Sequence, residues 1–409
     1  MTKTLTQKEQ IEACYTNIKI KMGMLNYMKV IDLFAGVGGL SLGAARAGFD
    51  VSAAVEIDSH AIETHHVNFP NSRHFMEDVS SIDGKELLKS INLESLDCLI
   101  GGPPCQGFSS IGKGNVDDVR NELYFHFFRI ISEIRPLCFL AENVPGIMNE
   151  KYDPIRNKAL SLIKDDYYIL PPLKVKASDY GAPTTRTRIF FIGYKKTLGK
   201  DLLDIKQFTP KKGERMITVG DALAGINFMV EPSWQTDAEA WHKVERHFKG
   251  SFYDKLWGEI PSGVGDKETL YKLKQGKVSG FLGTLHSHEV QKRYNNLQFG
   301  ETDRISKSKR LDPNGFCPTL RAGTGKEKGS FQAVRPIHPY QPRVISPREA
   351  ARLQGFPDWF KFHPTKWHSF RQIGNSVCPI VAEAMLLPLA DLCKMFSQNC
   401  TLENQGIAL

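Results

Sequence analysis

The chain has 409 residues, 41% of them hydrophobic and 24% charged, with a formal net charge of +8. That composition suits a soluble globular protein of one or two domains, and the absence of any run of eighteen apolar residues argues against a membrane-spanning helix. The polar start, residues 1–21, lacks the apolar core of a secretory signal, so a cytoplasmic protein with no membrane partner is expected. The basic excess is compatible with a polyanionic partner but does not demand one.

Residues 1–27 read as a polar, lysine-bearing extension. An apolar strand is expected over 28–33, a glycine turn over 36–39, and a helix over 40–47 that Gly48 ends. A second strand follows at 50–57 and a helix at 59–68. Further strands fall at 96–100, 137–141 and 188–194, and a helix at 122–134 stops at Arg135-Pro136. Strands alternating with helices predict an α/β fold with a doubly wound, mostly parallel sheet.

That alternation ends near residue 205. From 206 to about 342 the chain is polar and broken by Gly and Pro, and within 292–328 nine basic residues face four acidic ones. The bland reading of such a run is a solvated loop surface; a phosphate-contacting surface is the other. A helix over 347–354, closed by Gly355, and an apolar helix from Pro379 to about Met395 follow. The expected organisation is an extension (1–27), a cofactor-binding catalytic domain (28–205), a smaller irregular domain (206–365), and a segment (366–409) whose helix returns to the first strand.

Eight cysteines, at 14, 98, 105, 138, 317, 378, 393 and 400, form no C-x-x-C pair and no tight Cys/His group. Reduced thiols are expected, with neither a disulfide framework nor a metal site. Cys98, Cys138 and Cys378 lie in apolar runs and read as small core residues. Cys105 differs. Gly101-Gly102-Pro103-Pro104-Cys105 sets it on a rigid turn just beyond a buried strand, where proline fixes the backbone and glycine permits the bend. Glu142 ends the strand that begins about forty residues later. Ligands of open α/β sheets bind beyond the carboxyl ends of the strands, so both groups can face one pocket.

The turn containing Phe34, Gly36, Gly38 and Gly39 joins a strand to a helix, which allows close approach of a ligand to the backbone. Glu56, with Ile57 beside it, ends the next strand and can accept from ribose hydroxyls. Asp78, followed by Val79, can meet a purine amino group. A nicotinamide-dependent dehydrogenase would show a similar turn, although the G-x-G-x-x-G spacing is not kept; a tight turn with no ligand is the other alternative.

With Cys105 and Glu142 added, the chain resembles the carbon-5 cytosine DNA methyltransferases of bacterial restriction-modification systems. The motifs run in order from Met28 to Ala384: Asp32-Leu33-Phe34-Ala35-Gly36, Glu56, Asp78, Gly102-Pro103-Pro104-Cys105-Gln106 and Glu142-Asn143-Val144. Asp179-Tyr180-Gly181-Ala182-Pro183 with Arg186-Thr187-Arg188, then 348–357, then Gly374-Asn375-Ser376-Val377 complete the series. Thr184 stands where the family often has glutamine.

The resemblance implies a Rossmann-like methyltransferase domain, a target recognition domain, and S-adenosyl-L-methionine held by the turn residues with Glu56, Ile57, Asp78, Val79, Pro104 and Asn375. It implies Cys105 as the nucleophile on a cytosine flipped out of double-stranded DNA, with Glu142, Arg186 and Arg188 as its catalytic partners. Ser109, Lys113 and Arg120 fall in a Gly- and Ser-rich loop expected to close over DNA; Arg321 and Thr324 fall in the expected base-reading segment 319–325. A monomer, possible pairing with a restriction endonuclease, and no neighbouring histidine for a papain-like hydrolase complete the expectations. A tRNA cytosine methyltransferase and a non-catalytic DNA-binding protein stay open as alternatives.

Overall fold

The computed structural model describes residues 28–104, 122–210, 213, 215–226, 241–258, 260–322 and 334–403, with side chains to Phe396. Cys105, Ser109, Lys113, Arg120, Thr324 and the extension 1–27 lie outside the described residues.

The first half is built from β1 (Met28–Leu33), α1 (Gly39–Ala47), β2 (Phe49–Val55), α2 (Ser59–Asn68), β3 (Arg73–Phe75), α3 (Gly84–Ser90) and β4 (Cys98–Gly101). There follow α4 (Glu122–Ile134), β5 (Cys138–Asn143), α5 (Asp153–Ser161), β6 (Tyr167–Ile169), β7 (Leu173–Lys176) and β8 (Thr187–Lys195). One sheet takes the order β3-β2-β1-β4-β5-β8-β6, with β7 also on β8. The pairs from β3 to β5 are parallel, and β8 is antiparallel to β5, β6 and β7. The antiparallel edge was only partly visible in the sequence, because β6 and β7 are three and four residues long and half-exposed.

Alternation along the inner strands feeds two cores. Cys98 and Ile100 join one hydrophobic cluster, while Leu99 joins the other with Tyr124, Phe127 and Phe128 of α4. A strand covered on both faces reads as a continuous apolar run, as Cys98-Leu99-Ile100 does. Where the helices end and lead into these strands the chain turns sharply. Gly48 (φ 99°) caps α1 in the left-handed region, and Arg135 (φ 56°) adopts that region without being glycine.

The second half carries short elements: α6 (Val219–Leu223), β9 (His242–Lys243), α7 (Ser251–Trp257), α8 (Lys267–Lys274), β10 (Lys277–Val278) and α9 (His288–Asn295). Then come α10 (Pro347–Leu353), α11 (Lys366–Asn375) and α12 (Pro379–Glu403). The stretch 366–396 is long and apolar enough to cross a membrane, but most of it is buried in the core. The returning helix α12 lies chiefly along α1 rather than on β1 as expected. Small residues explain this: a Cβ on Gly43 would come within 2.3 Å of the Ala382 Cβ, and one on Gly39 within 2.4 Å of the Val377 carbonyl.

The segment around α10 is a brace of buried charge. Arg348 donates to the carbonyls of Ser279, Pro357 and Phe360. Arg352 forms a two-pronged pair with Asp358 at 2.8 and 2.6 Å and donates to the carbonyls of Ala222 and Ala224. Glu349 closes a capping box with Ser346 and accepts both prongs of Arg343. Burial alone would raise the Glu349 carboxyl, but Arg343 and the Ser346 amide hold it down at about 2.

Candidate active site

The carboxyl ends of β1, β2, β4 and β5 open into a cavity of about 490 Å³. Phe34, Gly36, Gly39, Glu56, Ile57, Asp78, Val79, Pro104 and Asn375 line it, together with Glu142, Arg186 and Arg188. The sheet topology thus brings the expected cofactor and catalytic residues to one space. Gly38 is the exception: it is the N-cap of α1 at φ 98°, and a Cβ there would strike the Phe69 ring at 2.5 Å. Its requirement is packing and backbone conformation.

Phe34 sits at φ 58°, a left-handed conformation uncommon for an aromatic residue. Gly36 (φ 56°) follows, and a Cβ there would meet nothing within 4 Å. The turn is held by Glu56: its carboxylate accepts from the amides of Gly36 (2.9 Å) and Asp58 (2.8 Å). Burial nevertheless raises the Glu56 pKa. Across the cavity Arg371 pairs with Asp58 at 2.9 Å, joining α11 to the start of α2. Ile57 is 64% exposed, an apolar face left open over the cavity. An open glycine face, two carboxylates and exposed apolar groups fit a ligand that carries a ribose, a flat ring and positive charge.

Behind this turn lies a polar chain absent from the sequence reading. Asp32 is fully buried, and burial pushes its carboxyl up to about 7. Ser41 donates to it at 2.6 Å and lies 2.9 Å from His65 Nε2. His65 Nδ1 is 2.9 Å from His74 Nε2, and His74 Nδ1 is 3.2 Å from His66 Nδ1. One set of tautomers satisfies every link, each imidazole donating inward toward Asp32. Asp32 opens the Asp32-Leu33-Phe34-Ala35-Gly36 motif, but nothing in the sequence marks His65 or His74 as its partners.

Glu142 and Arg188 face each other at the opposite end. Arg188 Nε lies 2.5 Å from Glu142 Oε1, but not in line for an N–H···O hydrogen bond, so the contact is electrostatic. A Cβ on Gly102 would lie 3.2 Å from Glu142 Oε2, so glycine there leaves the carboxylate room. Arg186 is 3% exposed and donates to the carbonyls of Leu320 and Asn375. It therefore ties the segment leading to Arg321 against the end of α11. Thr184 is buried and bridges to Cys317, away from the cavity lining. Arg321 is exposed and does not line the cavity.

Cysteine burial narrows the choice of nucleophile. Cys98, Cys138, Cys317, Cys378 and Cys393 are buried free thiols, and burial raises the pKa of the first four. None of these five is poised as a thiolate. Pro104, the residue before Cys105, lines the cavity.

The family described as C-5 cytosine-specific DNA methylase matches residues 28–389. The type II methyltransferase M.XorII of Xanthomonas oryzae is 39% identical over 365 residues, covering 87% of this chain and 82% of its own. M.DdeI of Desulfomicrobium norvegicum is 30% identical, covering 93% and 91%. A solved prophage-encoded protein of E. coli, described as a DNA modification methyltransferase, superimposes with a TM-score of 0.83 at 60% identity, covering 90% and 99%. The Dnmt2 methyltransferase of S. pombe shares the fold at a TM-score of 0.54 and 15% identity, covering 89% and 98%.

Proposed function

The chain belongs to the C-5 cytosine-specific DNA methylases, and on that premise we propose that it methylates carbon 5 of a cytosine flipped out of a specific duplex sequence, using S-adenosyl-L-methionine. It is a DNA cytosine-5 methyltransferase of the restriction-modification type. The observation that carries the assignment of roles is the single cavity in which Glu142 and Arg188 meet Gly36 and Glu56, with Pro104 delivering the chain to Cys105.

S-adenosyl-L-methionine, when bound, supplies the methyl electrophile. Phe34, Gly36, Gly39, Ile57, Asp78, Val79 and Asn375 would enclose it, with Glu56 accepting from its ribose. Carbon 5 of cytosine is a weak nucleophile until a thiolate adds at carbon 6 and makes the ring enamine-like. Cys105, in the Gly102-Pro103-Pro104-Cys105-Gln106 motif of this family, is that thiolate, and the five described cysteines, all buried, offer no competitor. Electron density pushed into the ring accumulates toward N3 and O2. Glu142, protonated or sharing a proton with N3, stabilises it there, and Arg188 holds Glu142 and takes O2. Once carbon 5 carries the methyl group, transfer of its proton to a base re-forms the carbon 5–carbon 6 double bond and expels Cys105 as the thiolate that began the cycle. Arg186 acts as a positioning residue through its hold on Leu320 and Asn375.

The target base leaves the duplex to reach such a pocket. The basic region 206–342 supplies phosphate contacts, and the segment around Arg321 reads bases. A catalytic domain over 28–205, completed by 366–409, with a target recognition domain over 206–365, is the organisation this implies. The protein acts as a monomer and protects host DNA against a cognate endonuclease.

The test is methyl incorporation into duplex DNA and tRNA, followed by bisulfite sequencing of the duplex. We expect one recurrent sequence context in DNA, no transfer to tRNA, and background incorporation by Cys105→Ala with cofactor binding retained. Transfer to tRNA alone would overturn the substrate assignment.

A further inference from the structure

At the rim of the cofactor cavity three histidines from three segments come together. His60 lies in the first turn of α2, His363 in the stretch before α11, and His368 within α11. The ring centroids of His60 and His368 are 4.0 Å apart, those of His363 and His368 4.4 Å, and those of His60 and His363 4.9 Å. One ring nitrogen from each lies within 4.8 Å of the others. We propose that His60, His363 and His368 form a binding site for a divalent transition-metal ion of the zinc type.

Ring packing alone does not account for the cluster. His60 Nδ1 is buried and has no hydrogen-bond partner, and a buried polar atom in that state points to a group still to be supplied. The backbone around the site is fixed in advance by one side chain. Gln372 donates to the His60 carbonyl at 3.0 Å and to Thr64 Oγ1 at 2.9 Å, and it accepts from the His363 amide at 3.0 Å. His368 lies one turn before Gln372 on the same helix, so a single buried glutamine sets all three histidine-bearing segments. Desolvation and the neighbouring imidazoles lower the pKa of His363 and His368, which keeps lone pairs on their ring nitrogens. Asp58 and Glu63 add negative charge near His363.

Three imidazoles with a fourth position open is an established zinc donor set. The outer shell is supplied by Thr365, whose Oγ1 lies 3.0 Å from His363 Nδ1. The Thr365 amide donates to that same nitrogen at 3.1 Å, which fixes the orientation of the His363 ring. Ligation through Nε2 requires the His363 proton on Nδ1, where the Thr365 hydroxyl can accept it once the ring has turned away from the Thr365 amide. The expectation of no metal site rested on spacing, and about three hundred residues separate His60 from the other two. The ion would join α2 to α11, two walls of the cavity that His60 and His368 line.

The test uses the full chain without a histidine tag, stripped with chelator and titrated with Co²⁺ followed by Zn²⁺. We expect one equivalent of Co²⁺ with the visible absorption of a four- or five-coordinate site, displaced by Zn²⁺. His60→Ala, His363→Ala and His368→Ala should each abolish that spectrum, Thr365→Val should weaken binding about tenfold, and His288→Ala should change nothing. Circular dichroism and melting in chelator verify that each variant is folded. His368→Gln replaces the ligand more conservatively if the alanine variant unfolds, and it too should lose the spectrum. No binding by the wild type, or a spectrum that survives in any folded histidine variant of the three, overturns the site.

Discussion

The sheet half and the irregular half of this molecule solve the same problem by different means. Buried backbone carbonyls must find donors. In β1, β2, β4 and β5 the ladder provides them, and side chains are left to pack. Between residues 206 and 365 there is little ladder, and buried or half-buried arginines take its place. Arg310 donates to the carbonyls of Asn295, Leu297 and Pro339; Arg348 and Arg352 together serve five more. Guanidinium suits this work because its donors form a fixed fork. Binding loops of irregular conformation can thus be held firmly without regular secondary structure.

The strongest way to break this comparison is Arg352→Ala. It strands Asp358 in the core and frees two carbonyls, so urea unfolding should show a loss of about 3–5 kcal/mol. A loss below 1 kcal/mol would mean that the irregular half is held by apolar contacts instead. The sheet half contains one buried ionisable group that tests the converse. Asp32, raised from 3.8 to about 7, favours the fold most when protonated. Its contribution is complete below its unfolded value and is lost as pH rises to about 7. Asp32→Asn should remove that loss, at most ~4 kcal/mol between pH 4 and 7. His65, held neutral by burial, titrates with the opposite sign, so the difference between wild type and variant is the informative quantity. An identical pH dependence in both proteins would contradict the buried chain.

Smaller effects sharpen the picture. Arg310→Ala frees three backbone carbonyls, two of them partly buried, and a ring contact with Phe299, so a loss of about 1–3 kcal/mol is expected by thermal melting. The exposed pair Lys89–Glu86 serves as a control, and removing it should leave the melting midpoint unchanged.

The two halves also differed in how far they could be read from sequence. Apolar runs such as Leu99-Ile100 and the glycine turn at Gly36 carry their structure locally, and the cavity formed where their order implied. Glu56, Glu142, Arg188 and Asn375 all line that cavity; Glu56 and Glu142 are legible from their places at strand ends, Arg188 and Asn375 only from the motifs that carry the family resemblance. Helix α11 was missed because its buried residues include Lys366, Ser369 and Gln372, whose burial depends on partners far along the chain. The same holds for Arg348 and Arg352, which read as motif residues and proved to be a structural brace. Side chains satisfied by distant carbonyls leave no periodic signal.

The central claim is that Cys105 attacks a flipped cytosine, and a duplex carrying 5-fluorocytosine at the target tests it most directly. Fluorine at carbon 5 cannot leave as a proton, so the enzyme with S-adenosyl-L-methionine should form a stable covalent complex whose crosslinked peptide contains Cys105. Active methylation of ordinary duplex without any trapped complex, or a crosslink mapped to another residue, would contradict the account.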